Sequence, residues 1–339
     1  MTNTDNVIRN FDAAVRAYLT ESASIGLSEE TIRNYGKRIK RFRTFWTETE
    51  PTENPTAEDI RNYRDHLLGT VSKKTVKQYL VELKGFFEFA CDGDFAFFEK
   101  NPVAHKMYPK MSDEDDTMYK KILTADDLKA LWQNKRPEGF ARTTWARNYA
   151  IVTLLLDGKI RNKELLDLRL SDIDFEYGEI EIRKGKGNKH RWVTVSDISL
   201  TAIKLYLEAG VRPDDLSDDD FLFGTTASHF FGNGARKRTE WHKGTRQWLS
   251  ELVEKHIASV TGKHGFRSHS LRHNGAMIDL NTGESLERIQ SELGHSSITT
   301  TEIYAGRLQS VRKTRDYKSV VETRDKCAAE NAERLQRLA

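Results

Sequence analysis

The chain has 339 residues, of which 37% are hydrophobic, and this length is enough for two domains of ordinary size. It contains nothing close to the roughly 18 consecutive apolar residues that a membrane-spanning helix needs, so we expect no membrane partner. No basic region followed by an apolar run opens the sequence, so we expect no secretory signal. Two cysteines, Cys91 and Cys327, exclude a disulfide-rich framework and favour the reducing cytoplasm.

The net charge of +3 is small, but basic residues are concentrated in two segments. Residues 31–43 contain no acidic residue and six basic ones, which are Arg33, Lys37, Arg38, Lys40, Arg41 and Arg43. Residues 71–84 contain one acidic residue, Glu82, and four basic ones, which are Lys73, Lys74, Lys77 and Lys84. Such local positive charge predicts faces that bind a polyanion, although a solvated helix face has the same composition.

The first part of the chain has the period of amphipathic helices. Apolar residues recur at three- and four-residue spacing in the segments 6–24, 28–48, 56–68 and 72–91. Ser28 has the right side chain and position for the N-cap of the second helix. We therefore predict a helical domain of four or five short helices over residues 1–110.

A change of composition follows this domain. Pro102 and Pro109, which the interior of a helix does not accommodate, precede an acidic run at residues 113–116. We interpret residues 111–122 as a linker between domains. Thr124 and Asp127 then have the spacing of a capping box, which predicts the first helix of a second domain.

The second domain, predicted over residues 123–307, is helical apart from one β-hairpin. Residues 179–184 and 189–195 alternate between apolar and polar side chains, and they flank the glycine-rich turn Gly185-Lys186-Gly187-Asn188. Residues 308–339 are charged and contain few large apolar side chains. We interpret them as a tail that packs late or on a neighbouring protomer.

The segment His269-Ser270-Leu271-Arg272-His273 precedes a helical run and is the first candidate for chemistry. If the helix has begun at His269, the imidazole and the guanidinium of Arg272 lie on one face, three residues apart. Arginine can bind two phosphate oxygens, and histidine can move a proton near neutral pH. Two alternatives remain, a zinc site with His269 and His273, which lacks the glutamate of the zinc-protease pattern, and a purely structural histidine pair.

Three further signals accompany this segment. Gly294 in Leu293-Gly294-His295 has the position of a helix C-terminus, and Tyr304 follows ten residues later. Arg161 lies at a helix junction after Gly158, and Lys186 lies between two glycines in the hairpin turn. Each signal alone also fits a structural role, such as a core tyrosine, a capping histidine or a surface arginine.

Together these signals resemble the tyrosine recombinase, or phage integrase, family, most closely its Xer-like members. The resemblance is carried, in chain order, by Arg161 with Glu164, Lys186 in its turn, His269 and Arg272 in the His-x-x-Arg box, Gly294-His295 and Tyr304. It implies a helical, SAM-like core-binding domain followed by a mixed α/β catalytic domain. The chain departs from the family in one place, because two residues, not one, separate Gly158 from Arg161.

The resemblance also implies roles for the catalytic residues. Arg161 and Arg272 hold the non-bridging phosphate oxygens, Tyr304 attacks phosphorus, His269 accepts its proton, Lys186 protonates the departing 5′ oxygen, and His295 orients the phosphate. The reaction needs no metal, ATP or other cofactor. The partners implied are double-stranded DNA and further copies of the chain, as a tetramer on DNA and a monomer or dimer without it.

For DNA contact we single out side chains of the two basic segments, in keeping with the family's N-terminal pattern. The first set is Thr31, Tyr35, Lys37, Arg38 and Arg41, and the second is Ser72, Lys73, Lys74, Thr75 and Lys77. Three other functions stay open at this point. They are a type IB topoisomerase, a DNA-binding protein with a decayed site, and a metal-dependent nuclease.

Overall fold

The computed structural model of the chain describes residues 3–49, 54–112, 121–183, 185, 190–230, 236–294 and 317–338. The chain divides into two compact units, Met1–Thr117 and Met118–Ala339. Among the described helices, none is long and apolar enough to cross a membrane. The exact domain boundaries drawn from the sequence stay predictions.

Within the described residues, the first unit contains four α-helices. They are α1 (Asn3–Ser24), α2 (Glu29–Glu48), α3 (Ala57–Leu68) and α4 (Lys73–Ala90). Three of them begin at a hydroxyl side chain that accepts a hydrogen bond from a backbone N–H of the first turn, which satisfies one of the otherwise unpaired donors there. The predicted N-cap is confirmed, because the hydroxyl of Ser28 accepts from the Thr31 N–H at 3.2 Å.

The core of the first unit is aromatic. Phe11 of α1 lies 5.4 Å from Phe86 and 5.6 Å from Trp46, measured between ring centroids, and all three side chains are fully buried. Each such side chain contributes about 1.5–3 kcal/mol by leaving water. This core holds α1, α2 and α4 together and leaves their polar faces exposed.

The second unit contains eight α-helices and five strands in its described residues. Its helices are α5 (Ala125–Trp132), α6 (Arg142–Asp157), α7 (Asn162–Asp167), α8 (Asp197–Glu208), α9 (Arg246–Thr261), α10 (Ser268–Thr282), α11 (Leu286–Leu293) and α12 (Tyr317–Gln336). The capping box predicted at the start of α5 is confirmed, since the Asp127 carboxylate accepts from the Thr124 N–H at 2.6 Å.

Three antiparallel strands form a small sheet beside these helices. They are β1 (Ile173–Asp174), β2 (Glu179–Ile182) and β3 (Arg191–Thr194). The predicted hairpin is confirmed as β2 and β3, with Ile180 opposite Val193 and both side chains fully buried. Lys186 and its neighbours Gly187 and Asn188 lie outside the described residues.

The expectation of a single β-hairpin in this unit is wrong. A second hairpin joins β4 (Gly224–Phe230) to β5 (Arg236–Lys243), with a change of register between Thr226 and Ser228. The Trp241 indole N–H donates to the Phe221 carbonyl at 2.8 Å, which ties this hairpin to the chain before it.

The C-terminal segment is part of the second unit's own core, which corrects its interpretation as a tail outside the catalytic domain. Helix α12 packs on α5 and α8, and Val320 is fully buried in the same apolar cluster as the centre of α6. The guanidinium of Arg324 lies 3.7 Å from the Asp157 carboxylate. Most of the other charged side chains of this helix, such as Lys326 and Glu330, are exposed.

Helices α6 and α10 approach each other at Gly275. A Cβ atom at this position would lie 1.9 Å from the Leu156 carbonyl oxygen, so only glycine allows the spacing. Asn274 beside it is buried and accepts from the Leu123 N–H at 2.7 Å. These contacts fix α10, which carries the His-x-x-Arg box, against the end of α6.

Candidate active site

The turn between α6 and α7 places Arg161. Gly158 has an ordinary helical conformation with φ −77°, whereas Lys159 has the left-handed φ of 51°. The residue that turns the chain is therefore Lys159, and one buried aliphatic residue, Ile160, separates it from Arg161. Glycine is the residue that adopts a left-handed conformation most readily, and here Lys159 adopts it. If the spacing is counted from Lys159 instead of Gly158, one residue precedes Arg161, as in the family.

Arg161 is held by an acidic partner and by the end of α11. Its Nη1 donates to Glu164 Oε1 at 2.9 Å, and its Nη2 donates to the carbonyls of Leu293 at 2.7 Å and Gly294 at 2.8 Å. Glu164 also accepts two parallel hydrogen bonds of 2.8 Å from Arg191 of β3. One buried carboxylate thus orients two guanidinium groups.

Burial would raise the pKa of Glu164, but the bonds from Arg191 and from the Arg161 backbone and side chain outweigh it and lower the pKa to about 2. The carboxylate therefore stays charged at any pH near neutrality. A charged acceptor strengthens the hydrogen bonds that hold both arginines.

Arg272 of α10 is 2% exposed and reaches the same place as Arg161. Its Nη1 donates to the Lys159 carbonyl, and its Nη2 donates to the Leu293 carbonyl. The two arginines predicted to hold a phosphate therefore share one acceptor, the carbonyl oxygen of Leu293. The structure brings them together although they are far apart in sequence.

Gly294 makes this convergence possible. It ends α11 with the left-handed φ of 57°, which confirms its prediction as a helix C-terminus. A Cβ here would lie 3.3 Å from Arg161 Nη1 and 3.6 Å from Arg191 Cζ, so both arginines pack on the bare glycine backbone. His295 is next in sequence, and it lies outside the described residues together with Tyr304.

His269 is exposed in the first turn of α10, which begins at Ser268. The condition for placing His269 and Arg272 three residues apart on one helix is thus met. The rings of His269 and His273 make an edge-on contact with centroids 4.3 Å apart. The described part of the chain holds no group of three or more His, Cys, Asp or Glu side chains suited to a metal ion.

Two residues of this site were missed as candidates. Arg191 faces inward on β3, two residues before the buried Val193, and an arginine at an inward position of a strand was the available signal. Lys159 carried no such signal, because nothing in its side chain type indicates a left-handed conformation.

A groove of about 430 Å³ opens beside Glu164 between α7 and the small sheet. Its lining includes the basic residues Lys163, Arg169 and Arg183 together with Asp172 and Phe221. Burial raises the pKa of Asp172 in spite of a nearby Arg183. The lining also includes the acidic residues Glu164, Asp167 and Glu181, so the groove carries both basic and acidic side chains.

The residues singled out for DNA contact in the first unit fall into two groups. Lys37, Ser72, Lys73, Lys74 and Lys77 are exposed, whereas Thr31, Tyr35, Arg38, Arg41 and Thr75 are half-buried. Several of the second group have structural partners. Arg38 forms an ion pair with Glu82, Arg41 donates to the Tyr79 hydroxyl at 3.3 Å, and the Tyr35 ring stacks on Tyr18.

Comparison with known proteins agrees with this arrangement. Residues 121–310 match the phage integrase family, and residues 16–93 match the phage integrase N-terminal SAM-like domain. Tyrosine recombinase XerA of Pyrococcus furiosus is 30% identical over 283 residues, covering 82% of this chain and 84% of XerA. Tyrosine recombinase XerC of Thermodesulfovibrio yellowstonii is 30% identical over 305 residues, covering 90% of this chain and 92% of that protein.

Solved structures share the fold at low sequence identity. XerH site-specific recombinase, in a post-cleavage complex with a palindromic difH substrate, has a TM-score of 0.67 at 20% identity and covers 92% of this chain and 96% of its own. A lambda integrase dimer bound to a COC′ core site has a TM-score of 0.60 at 18% identity and covers 86% and 94%.

A helical SAM-like domain followed by a mixed α/β domain defines a class of DNA strand-exchange enzymes, and the predicted fold class is confirmed. The chain belongs to the phage integrase family and is a tyrosine recombinase of the Xer type. The topoisomerase and the decayed binding protein are not favoured.

Proposed function

We propose that this site-specific recombinase cuts and rejoins double-stranded DNA through a 3′-phosphotyrosine at Tyr304. The observation that carries the residue assignment is the convergence of Arg161 and Arg272 on the Leu293 carbonyl, two residues before His295. Two guanidinium groups at one oxygen atom form a local positive field suited to a phosphodiester.

Arg161 and Arg272 would bind the two non-bridging oxygens of the scissile phosphate. A phosphate oxygen is a stronger acceptor than a backbone carbonyl, because both charges contribute to the bond. The charge on these oxygens grows as phosphorus becomes five-coordinate, so fixed guanidinium groups stabilise the transition state more than the ground state. Glu164 and Arg191 keep Arg161 oriented for this purpose.

The remaining roles rest on sequence position. The Tyr304 oxygen forms a bond to phosphorus while the bond from phosphorus to the 5′ oxygen breaks. A phenol in water keeps its proton up to about pH 10, so His269 accepts that proton as base. Lys186 protonates the departing 5′ oxygen, and His295 donates a hydrogen bond to the phosphate. Reversal by another 5′ hydroxyl rejoins the strand, and no ATP is consumed because the phosphotyrosine bond conserves the energy.

The exposed lysines Lys37, Lys73, Lys74 and Lys77 would contact phosphates along the duplex. Phosphate contacts of this kind set affinity and position without reading sequence. We also propose that four copies assemble on DNA, that the free protein is a monomer or dimer, and that it acts in the cytoplasm where bacterial or archaeal DNA lies.

The proposal is tested with nicked fragments of host or mobile-element DNA, in which loss of a short strand traps the covalent intermediate. Wild-type protein should give an adduct that survives a denaturing gel and chelation of metal ions by EDTA. Tyr304→Phe should give none, whereas Tyr177→Phe, a matched change at an exposed tyrosine, should behave as wild type. An adduct formed by Tyr304→Phe at the wild-type rate would overturn the assignment of the nucleophile.

A further inference from the structure

Lys159 is a buried lysine beside the paired arginines. It is 5% exposed, and its Nζ lies 2.5 Å from Asp279 Oδ2 of α10 and 3.0 Å from Glu292 Oε2 of α11. The same ammonium group donates to the Asp157 carbonyl at the end of α6, at 2.8 Å. One side chain therefore joins the ends of three helices.

The backbone carbonyl of Lys159 also takes part in a hydrogen bond. Its left-handed conformation directs the carbonyl oxygen to Arg272, whose Nη1 donates to it. A lysine is less stable than a glycine in this conformation, because its Cβ approaches the neighbouring carbonyl oxygen. The ion pairs of the side chain offset that cost, which gives a physical reason for a residue other than glycine at this place.

Glu292, the second carboxylate partner of Lys159, is connected to the paired arginines through the backbone. Glu292 precedes Leu293, whose carbonyl accepts from both Arg161 and Arg272, and the Glu292 carbonyl itself accepts from Arg191 Nε at 3.2 Å. Fixing the Glu292 side chain therefore fixes the backbone on which all three arginines converge.

We propose that Lys159 is a positioning residue of the recombination reaction, which sets the place of Arg272 through its carbonyl and the end of α11 through its ammonium group. This inference rests on the proposed function, in which Arg272 binds the scissile phosphate. It predicts that loss of the ammonium group slows strand cleavage while DNA affinity is retained.

The charges around Lys159 determine how its loss depends on pH. Facing it are Asp279 and Glu292, with Asp157 and Arg324 on the α6 side and Arg288 and Arg191 near Glu292. Burial would lower the pKa of Lys159, but Asp279, Glu292 and Asp157 outweigh it and raise the pKa, so the ammonium group stays charged. Burial raises the pKa of Asp279, and the neighbouring carboxylates of Glu292 and Asp157 raise it further, whereas Lys159 lowers it. Without the ammonium group, the pKa of Asp279 should therefore rise again.

The test compares Lys159→Met with wild type on a nicked substrate, with the full-length chain. Cleavage at saturating DNA should slow by between about tenfold and a hundredfold, because small displacements of positioned groups cost rates of this size. The dissociation constant for uncleaved DNA should change by less than about twofold, since α12, the sheet and the first unit are untouched. The lost rate should partly return when pH is lowered from about 8, because Asp279, whose pKa is already raised by burial, becomes protonated and loses its uncompensated charge.

The matched control is Lys263→Met, which removes the ion pair between Lys263 and Asp127 in the same unit, away from the arginines. It should keep the wild-type cleavage rate. If Lys159→Met is too unstable to purify, Lys159→Met with Asp279→Asn removes one charge of each sign and should still cleave slowly, because Glu292 loses its buried partner and keeps only its exposed one, Arg288.

Three results would overturn the positioning role. They are cleavage by Lys159→Met at the wild-type rate, an equal loss in Lys263→Met, or a loss confined to DNA affinity with no dependence on pH. Failure of the proposed function is distinguishable, because the wild-type protein itself would then form no adduct on any substrate.

Discussion

Glu164 illustrates how one buried residue organises this site. Its carboxylate accepts from the side chains of Arg161 and Arg191 and from the Arg161 backbone N–H. A buried charge of this kind is costly unless it is fully hydrogen-bonded, and here every bond also orients a cation. Stability and catalytic geometry therefore depend on the same carboxylate.

The lowered pKa of Glu164 makes its contribution depend on pH. The carboxyl group has an ordinary pKa of 4.5 and a folded value of about 2, so its stabilisation is present above 4.5 and is lost as pH falls towards 2. The shift corresponds to about 3 kcal/mol. The free energy of unfolding, measured with urea, should fall between pH 6 and pH 3 in the wild-type protein. The fall should be smaller in Glu164→Gln, which has no carboxyl group to protonate. Glu58→Gln, at an exposed ion pair, should match wild type, and equal losses in all three proteins would contradict this prediction.

Gly294 offers a second test at a single residue. Alanine in a left-handed conformation costs about 1–2 kcal/mol at either Gly294 or Gly262, which has φ 69°. Only at Gly294 would the new methyl group meet Arg161 and Arg191, because Gly262 has nothing within 4 Å. We expect similar losses of melting temperature in both variants and slower adduct formation only in Gly294→Ala. Equal cleavage rates in Gly294→Ala and Gly262→Ala would show that the positions of Arg161 and Arg191 do not depend on a glycine at position 294.

Much of the site could be predicted from residue types and spacing. Phosphate chemistry and helix termini identified Arg272 and Gly294, whereas Arg161 with Glu164 was identified by the resemblance to the tyrosine recombinase family. Lys159 and Arg191 act through a backbone dihedral angle and through a partner on another element. Neither property is encoded in local composition, so both required the structure.

At the scale of elements, α12 shows how composition can mislead. The helix has many charged residues, but its buried residues, Tyr317, Val320, Cys327, Ala328 and Asn331, recur at helical spacing on one face. The Asn331 amide donates to the Tyr149 hydroxyl at 3.4 Å in the centre of α6. Small apolar side chains on one face are enough for docking, although a count of large ones predicts a tail.

The docking of α12 predicts a stability effect. Val320→Asp should destabilise the second unit by at least about 3 kcal/mol, because an unpaired carboxylate would be buried in the apolar cluster. Lys326→Asp, on the exposed face of the same helix, should change stability by less than about 0.5 kcal/mol. Thermal unfolding at low protein concentration measures both. Wild-type stability in Val320→Asp would mean that α12 does not pack on its own chain.

The second hairpin escaped prediction for a different reason. Its strands lie around Gly232 and Gly234, where charged and aromatic side chains follow no clear alternation between apolar and polar. The register change near Thr226 breaks the two-residue period that identifies a strand. Hairpins with bulges therefore need pairing information that a single sequence lacks.

At the scale of the whole molecule, the two units differ in the composition of their cores and in the charged residues that they carry. The first has an aromatic core and carries exposed lysines, and the second has an aliphatic core and carries the converging arginines. The net charge of +3 hides this separation, because acidic residues elsewhere balance the basic segments. Local charge is thus a better guide to binding than the total.

This division predicts how DNA affinity responds to salt. If Lys73, Lys74 and Lys77 contact phosphates, replacing all three with alanine should lower the slope of log affinity against log salt by up to about 3, at roughly 0.9 per contact. A control with Lys326, Arg334 and Arg337 replaced loses the same charge from α12 and the residue that follows it, and it should keep the slope. The slopes are measured by fluorescence anisotropy. Equal slopes for the two triple variants would show that these lysines do not contact DNA phosphates.

The contact of α10 with α6 at Gly275 limits how this enzyme can change over evolutionary time. Backbone meets backbone there, so no compensating side chain can restore the spacing once a methyl group is added, and Arg272 lies one turn away. A library randomised at Gly275 and selected for recombination should return glycine almost alone, whereas one randomised at the exposed Gly93 should return most residue types. Lineages that adapt to new DNA targets would then keep this crossing together with the catalytic residues.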